Sequence, residues 1–294
     1  ASPVIDLAER LIELAPVAMK RVYFVNSGSE ANDTAIKMLW MLNKGAGKPD
    51  KRKIISRKSA YHGTTVASCS LNGKPYINCF GLPLKEILYA DCPHYWRDGL
   101  PGECEEDYAG RLADNLEALI QAEGADTIAG FIAEPVMGAG GALVPPKGYF
   151  EKIEAVLRRH DIAIISDEVV CGFGRTGSMW GCETYNFRPD IICTSKCLTA
   201  GYFPMGAVLM SPEIDAQLMQ AAEALGEFPH GFTTAGHPVG AAIALKTLEL
   251  ISEPDGMFDN LCKVAPHFQA GLQKFADHPL VGEARGVGLI GALE

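Results

Sequence analysis

The chain has 294 residues, of which 48% are hydrophobic and 21% are charged, so it can bury a core of ordinary size. Its net charge of −10 disfavours a surface that binds nucleic acid or an anionic membrane. The nine cysteines form no CxxC pair and no zinc-type pattern with histidine. We therefore predict no metal site and expect a cytoplasmic protein with reduced thiols. No stretch has the pattern of a signal peptide or a membrane span.

Short β-branched runs alternate along the chain with apolar residues at helical spacing. The predicted helices are 3–14, 31–42, 107–122, 146–159, 215–225, 239–251 and 258–275. The predicted strands are 21–25, 53–56, 87–90, 127–133, 162–167, 190–196 and 207–210. This alternation predicts an α/β protein with a mostly parallel sheet flanked by helices. Strand 207–210 follows its predecessor too closely for a crossover helix, so we expect it to be antiparallel.

The two ends of the chain suggest a longer natural protein. The sequence begins with Ala1 rather than Met, and residues 286–294 have the pattern of one strand that stops in mid-run.

Two charged residues follow neighbouring predicted strands. Asp167 ends the strand that starts at residue 162, and Lys196 ends the next one. Ligands bind outside the carboxyl ends of parallel strands, so this carboxylate and this amine are expected to face one crevice. A structural ion pair between them is the alternative.

Two further motifs have a functional and a structural interpretation. Ser27, Gly28 and Ser29 lie between a strand and a helix, where free backbone N–H groups bind phosphate; the alternative is an ordinary Ser N-cap. Tyr61 follows another strand beside His62 and Gly63, where it can cover a flat ring; the alternative is a half-buried tyrosine.

The run Gly172–Gly177 matches GxGxxG, a pattern typical of dinucleotide binding. That function requires a helix next, and residues 178–187 have no clean helical period. It also requires an acidic residue at the end of the second strand, where this chain has Lys196. A nucleotide-binding oxidoreductase, or a non-catalytic binding module, is therefore disfavoured.

Pyridoxal phosphate needs all of the remaining features together. Its phosphate needs backbone donors, its ring a flat cover, its ring nitrogen a carboxylate such as Asp167, and its aldehyde a lysine such as Lys196. The joint order of these features favours a pyridoxal phosphate enzyme.

The sequence resembles the class III aminotransferases, which have the fold type I of pyridoxal phosphate enzymes. The motifs that carry this resemblance span most of the chain: residues 26–31, 61–63, 134–135, 167–177, 189–190, 195–196, 201–206 and 233–238. The resemblance implies a large cofactor-binding domain at residues 1–252. It also implies that residues 253–294 begin a small C-terminal domain, with the rest of that domain and an N-terminal segment absent.

The resemblance assigns the chemistry of the cofactor to two residues. Lys196 is the Schiff-base lysine, and Asp167 is the partner of the ring nitrogen. If so, a cofactor ring lies between these two side chains and they do not touch.

The resemblance also assigns residues that bind the cofactor without reacting. Gly28 and Ser29 bind its phosphate, Tyr61 and Val169 cover the two ring faces, and Glu134 supports the ring substituents, with His62 in the same site. Thr233 would reach the phosphate of a neighbouring subunit, which requires a homodimer with shared active sites.

The turn at 201–206 and the Gly-His-Pro run at 236–238 resemble the ω-amino acid:pyruvate branch of the family. This implies an ω-transaminase that moves an amino group from an amine or ω-amino acid to a keto acid, expected to be pyruvate, through pyridoxamine phosphate. The alternative within the family is an aminomutase, a racemase or a decarboxylase. The substrate-carboxylate arginine of that branch would lie beyond Glu294; neither Arg285 nor Arg175 is assigned to it.

Overall fold

The computed structural model describes residues 2–294. Its helices are α1 Ser2–Leu14, α2 Gly28–Gly45, α3 Val66–Ser70, α4 Tyr95–Asp98, α5 Glu105–Glu123, α6 Tyr149–Arg159, α7 Gly181–Thr184, α8 Pro212–Leu225, α9 Pro238–Ser252 and α10 Met257–Gln273. Its strands are β1 Arg21–Val25, β2 Lys53–Arg57, β3 Ile87–Ala90, β4 Ile128–Ala133, β5 Ala163–Asp167, β6 Ile191–Thr194, β7 Gly206–Met210, β8 Ala284–Val287 and β9 Ile290–Leu293.

Seven strands form one sheet in the order β1-β7-β6-β5-β4-β2-β3. Strand β7 pairs antiparallel with both of its neighbours, and the other pairs are parallel. The predicted fold class is therefore confirmed, including the single antiparallel strand. Because β7 runs against the rest, the carboxyl ends of β1, β2, β4, β5 and β6 all lie at one edge of the sheet.

Helices cover both faces of this sheet. Because successive residues of a strand point to opposite faces, neighbouring residues of one strand pack in different clusters. In β5, Ile164 packs in the cluster that contains Leu7, whereas Ile165 packs in the cluster that contains Leu39 of α2. The same alternation in β5 places Asp167 on the α2 side of the sheet, two residues after Ile165. This face assignment decides which helix can reach the Asp167 carboxylate.

Helix α6 begins three residues later than predicted. Gly148 has a φ of +75°, a left-handed conformation that a helix cannot contain, and Tyr149 follows it as the first helical residue. Pro146 precedes the helix and accepts a hydrogen bond from the Tyr149 N–H at 3.1 Å.

The prediction of one strand at residues 286–294 is wrong, because this region contains the end of β8, a turn and the whole of β9, which pair as an antiparallel hairpin. Gly288 turns the chain with a φ of +58°. An added Cβ at Gly288 would lie 2.4 Å from the backbone of Thr176, so the turn packs directly on the glycine-rich run 172–177. The apolar pattern is continuous there because both strands of the hairpin contribute to it.

The sheet and its covering helices end with α9 at Ser252, and α10 packs against the hairpin β8–β9. The predicted domain division, 1–252 and 253–294, stays a prediction. Within residues 2–294, no helix combines the length and the apolar character that crossing a membrane requires.

Candidate active site

A cavity of about 120 Å³ lies at the sheet edge where the parallel strands end. Eight of the nine predicted site residues line it; Thr233 does not. The lining consists of Gly28, Ser29, Tyr61, His62, Gly63, Glu134, Asp167, Val169, Val170, Ser195 and Lys196. These residues come from five separate segments of the chain, so the fold brings the predicted set together.

Lys196 lies two residues beyond the end of β6, and its backbone has an unusual conformation. Its φ is +27°, which costs energy in a residue with a side chain, and Ala200 is left-handed as well at +49°. The Ser195 hydroxyl donates to the carbonyl of Met205 at 2.8 Å and ties this bend to the turn before β7. The lysine amine is thus presented at the cavity by a strained, internally bonded turn.

No hydrogen bond or ion pair joins Lys196 to Asp167 among residues 2–294. Instead, the Asp167 carboxylate accepts from three neighbours. Its Oδ2 accepts from His62 Nδ1 at 2.7 Å and from Asn32 Nδ2 at 2.8 Å, and its Oδ1 accepts from the Val169 N–H at 3.1 Å. The structural ion pair is therefore not supported, and Oδ1 retains accepting capacity for one further donor.

Asn32 is a site residue that the sequence reasoning missed. It lies on α2, is fully buried, and also donates to the carbonyl of His62 at 2.7 Å. Its one signal in the sequence is a polar side chain on the apolar face of a helix, four residues after Gly28 and three before Ala35. A buried amide on such a face needs a partner, and here the partner is Asp167.

The N-terminus of α2 combines the two interpretations given to residues 27–29. Ser27 is indeed the N-cap, and its hydroxyl accepts from the Glu30 N–H at 3.2 Å. The backbone N–H groups of Gly28 and Ser29 have no acceptor within residues 2–294. Two free donors at the positive end of an 18-residue helix suit an anion such as a phosphate.

Position 28 requires a glycine because its backbone lies too close to Val169 for a side chain to fit. An added Cβ at Gly28 would lie 2.9 Å from one methyl group of Val169 and 3.0 Å from the other. The backbone at the start of α2 is therefore packed against the side chain of Val169, two residues beyond β5. Gly63 is similarly enclosed, 2.4 Å from the Ser29 hydroxyl at its Cβ position.

Glu134, just beyond β4, holds the segment that carries Tyr61. One carboxylate oxygen accepts from the Tyr61 N–H at 3.1 Å and the other from the Gly138 N–H at 2.8 Å. Burial raises the pKa of Glu134, and the nearby His62 opposes this shift. Arg57 is fully buried beside it and donates to the Glu134 carbonyl. Arg57 was not predicted, because the predicted strand ended at Ser56.

Glu168 lies on the opposite side of the strand from Asp167 and has a structural role. Its carboxylate accepts from the backbone N–H groups of Gly181 and Cys182, both at 2.8 Å. Burial raises the pKa of Glu168, and these backbone donors partly offset the shift. Two adjacent carboxylates in the sequence are thus separated by the sheet.

The GxGxxG run is a turn that packs against the hairpin. The short helix α7 starts only at Gly181, so no helix N-terminus follows the glycines directly. The Leu289 N–H donates to the Arg175 carbonyl at 2.9 Å. The structure therefore gives no support to a dinucleotide site here.

The two arginines named above both have partners outside the cavity. Arg175 donates from Nε and Nη2 to the sulfur of Cys197, at 3.3 and 3.1 Å. Arg285 donates to the Gly141 carbonyl and lies between the carboxylates of Glu283 and Glu294. Those two carboxylates and His94 have metal-type spacing, but the Arg285 guanidinium already supplies the cation there.

Thr233 is exposed in the loop between α8 and α9 and lies outside the cavity of its own chain. A second, larger cavity of about 490 Å³ is lined mainly by apolar residues, six of them from α9 and α10, and contains none of the predicted site residues. The convergence of charged groups therefore favours the smaller cavity as the site of chemistry.

The family model described as "Aminotransferase class-III" matches residues 1–294. "Gamma aminobutyrate transaminase 3, chloroplastic" of Solanum lycopersicum is 50% identical over 294 residues, which are 99% of this chain and 56% of that protein. Two solved structures resemble the fold at 55% identity and a TM-score of 0.98: a PMP-bound aminotransferase from Vibrio fluvialis and an omega-aminotransferase from Paracoccus denitrificans. Each match covers the whole of this chain and 65% of the solved chain. The chain thus spans less than two thirds of the length of these relatives.

Proposed function

Because the chain belongs to the class III aminotransferases, we propose that the protein transfers an amino group from an amine or ω-amino acid to a keto acid. The observation that carries this proposal is the cavity at the strand ends. There the amine of Lys196, the carboxylate of Asp167 and the free N–H groups at the start of α2 converge without bonding to one another.

The family's cofactor is pyridoxal phosphate, and the residues present fit it. Gly28 and Ser29 offer two unpaired N–H donors for a phosphate, and Asp167 keeps accepting capacity on Oδ1 for a protonated ring nitrogen. Tyr61 and Val169 line the same cavity and would cover the ring. When bound, pyridoxal phosphate supplies an aldehyde that takes up the amino group and a ring that withdraws electrons.

Each protein group has a separate part in the transfer. Lys196 would hold the aldehyde of the cofactor, and its free amine would accept the proton from the substrate carbon that bears the nitrogen. Asp167 would keep the ring nitrogen protonated, and His62 with Asn32 fixes the orientation of that carboxylate. The backbone donors of α2 would hold the phosphate, and Glu134 fixes the segment of Tyr61.

The substrates are the finer part of the proposal. The tomato relative is named for γ-aminobutyrate, which is an ω-amino acid, and this supports a donor with its amino group remote from the carboxylate. The 201–206 turn and the Gly-His-Pro run support pyruvate as the acceptor. We further propose a cytoplasmic homodimer. The nine free thiols support a reducing compartment, and the exposed position of Thr233 suits a contribution to a partner's site.

The test is a screen of amine donors against pyruvate and 2-oxoglutarate, with the keto product and the new amino acid both quantified. We expect alanine to accumulate from pyruvate in step with donor consumption. The Lys196→Ala variant should lose multiple turnover, whereas Lys246→Ala on the exposed side of α9 should not. Product formed from a donor without any keto acid would instead indicate an aminomutase, a racemase or a decarboxylase.

A further inference from the structure

The loop between α8 and α9, residues 226–237, has half of its residues exposed and is fixed at one histidine. The Tyr23 hydroxyl donates to the His230 carbonyl at 2.8 Å, and the two rings stack at 5.5 Å with planes 18° apart. Phe228 and Phe232 of the same loop pack against this imidazole. His230 thus packs the loop against Tyr23 of β1.

Both ring nitrogens of His230 are paired with helix α2. Lys37 Nζ lies 2.9 Å from Nδ1, and Thr34 Oγ1 lies 2.9 Å from Nε2. An ammonium group only donates, so Nδ1 accepts and the proton is on Nε2, which donates to Thr34. This arrangement requires a neutral imidazole, because a protonated ring would present an N–H to the ammonium group.

The loop is also connected to the start of α2. Thr234, next to Thr233, donates its hydroxyl proton to Asn26 Oδ1 at 3.0 Å. Asn26 donates in turn from its backbone and side chain to the Glu30 carboxylate, at 2.7 and 3.0 Å. The free N–H groups of Gly28 and Ser29 lie within this short segment. A shift of the loop therefore acts on the proposed phosphate site of its own chain, and through Thr233 on that of a partner.

We propose that neutral His230 is a positioning residue that fixes the 226–237 loop on helix α2 and thereby sets the affinity of the protein for the cofactor phosphate. The inference rests on the proposed pyridoxal phosphate site. It adds a residue that touches neither cofactor nor substrate and acts through Asn26 and the loop threonines.

The charges around His230 fix the direction of its pH dependence. Lys37 from α2 and the phenol of Tyr23 from β1 face the ring, Glu227 earlier in the loop is exposed, and no carboxylate oxygen of residues 2–294 lies within 4.0 Å of a ring nitrogen. Burial lowers the pKa of His230, and Lys37 lowers it further. A lowered pKa means that docking of the loop is complete above the ordinary value of about 6.5 and weakens as the pH falls from there through the lowered pKa.

The first experiment compares binding of pyridoxal phosphate with binding of pyridoxal, which lacks the phosphate, at neutral pH. We expect His230→Leu to weaken pyridoxal phosphate binding about tenfold, as for the loss of one to two hydrogen bonds, and to leave pyridoxal binding unchanged. His230→Gln, which can accept from Lys37 and donate to Thr34, should bind both like the parent. His267→Leu, at an exposed site on α10, is the matched control.

The second experiment follows pyridoxal phosphate affinity from about pH 8 to pH 5.5. The parent should lose affinity as the pH falls below about 6.5, by up to about tenfold per pH unit within the window between the two pKa values. His230→Gln should lack this component, and in Lys37→Met the fall should be smaller and level off at a higher pH than in the parent, because the pKa of docked His230 is lowered less. The phosphate group itself titrates near pH 6 in every variant, so the difference between parent and His230→Gln is the quantity to measure.

Three outcomes would overturn the inference: parent-like pyridoxal phosphate binding by His230→Leu, equal loss of pyridoxal and pyridoxal phosphate binding, or parallel pH profiles for the parent and His230→Gln. Should His230→Leu not fold, the Gln and Lys37→Met variants still decide through the pH profile. A parent that binds pyridoxal phosphate but transfers no amino group would contradict the proposed function alone. A parent that does not bind it would contradict both.

Discussion

The imidazole of His62 and the carboxylate of Asp167 are joined by a hydrogen bond of 2.7 Å between Nδ1 and Oδ2, with both side chains almost completely buried. The two residues come from different strand ends, 105 positions apart in the chain. Since a carboxylate only accepts, this contact places the Nδ1 proton on His62 and turns Oδ1 of Asp167 toward its remaining partners. The geometry therefore assigns the orientation of Asp167 to a neighbour that does not need to touch the substrate.

Asp167→Asn should separate cofactor binding from catalysis. The amide keeps the shape but loses the charge that maintains a proton on a ring nitrogen, and a charge-assisted hydrogen bond is worth about 1.5–3 kcal/mol. We expect kcat to fall about 10- to 100-fold while the cofactor still binds. The measurement is kcat for amino transfer together with a cofactor titration by absorbance. Asp126→Asn on the surface is the control, and a parent-like kcat for Asp167→Asn would refute the role.

Two substitutions of Asn32 test, to different degrees, how much the activity depends on the Asp167 carboxylate. Asn32→Ala removes two buried hydrogen bonds, to Asp167 and to the His62 carbonyl, and should lower kcat about tenfold. Asn32→Asp should be worse, because two buried carboxylates in contact must share a proton and the pKa of the pair rises. The loss in Asn32→Asp should therefore be smaller at acid pH than at alkaline pH. A kcat–pH series for both variants distinguishes this repulsion from a general loss of packing, which would show no such trend.

Gly28 and Val169 should be coupled. Gly28→Ala places a methyl group about 3 Å from the stiff, β-branched side chain of Val169, and an overpacked contact costs about 1–3 kcal/mol. We expect weaker cofactor binding, because the strained helix terminus carries the phosphate donors.

The double variant Gly28→Ala with Val169→Ala should recover part of that loss, because it restores the space. A double-mutant cycle on cofactor affinity measures the coupling. Strictly additive effects would show that the two residues do not constrain each other.

Glu134→Gln should loosen the Tyr61 segment. The carboxylate accepts from two backbone N–H groups, whereas an amide has one oxygen and would face the other donor with its NH₂ group. An unsatisfied buried donor costs about 1–3 kcal/mol, so we expect a lower melting temperature and weaker cofactor binding. Glu151→Gln, exposed on α6, is the matched control and should change neither. Unchanged stability and affinity in Glu134→Gln would show that these two contacts carry no energy.

The structure brings Asp167 and Lys196 to one cavity, as the sequence predicted, because parallel strands that end together put their next residues together. Asp167 and Lys196 follow from that rule, whereas Glu134 was assigned by the family resemblance. Asn32 does not follow from it, because helical spacing shows that a face is buried but not which strand it packs against. That partner is set by the alternation in β5, which puts Asp167 on the α2 side. The contacts of His230 could not be predicted for a similar reason, because its partners on α2 are almost 200 positions away in the chain.

The glycine-rich run 172–177, which the sequence already disfavoured as a dinucleotide site, packs against the C-terminal hairpin. The hairpin turn at Gly288 packs on the backbone of Arg175 and Thr176, and no helix N-terminus for a phosphate follows the run. Neither the run nor the hairpin can be interpreted without the other, and the continuous apolar pattern of residues 286–294 conceals the turn.

Gly288→Ala tests this packing directly. The substitution forces a side chain into a left-handed conformation, at about 1–2 kcal/mol, and places its Cβ 2.4 Å from the Thr176 backbone, which cannot move aside cheaply. Gly81→Ala is the matched control, since Gly81 has a similar φ of +70° but open space around it. We expect Gly288→Ala to lower the free energy of unfolding by at least about 2 kcal/mol more than Gly81→Ala, measured by denaturant titration. If both variants lose the same free energy of unfolding, the loss comes only from the left-handed backbone conformation that they share. The hairpin turn then does not pack tightly on the run.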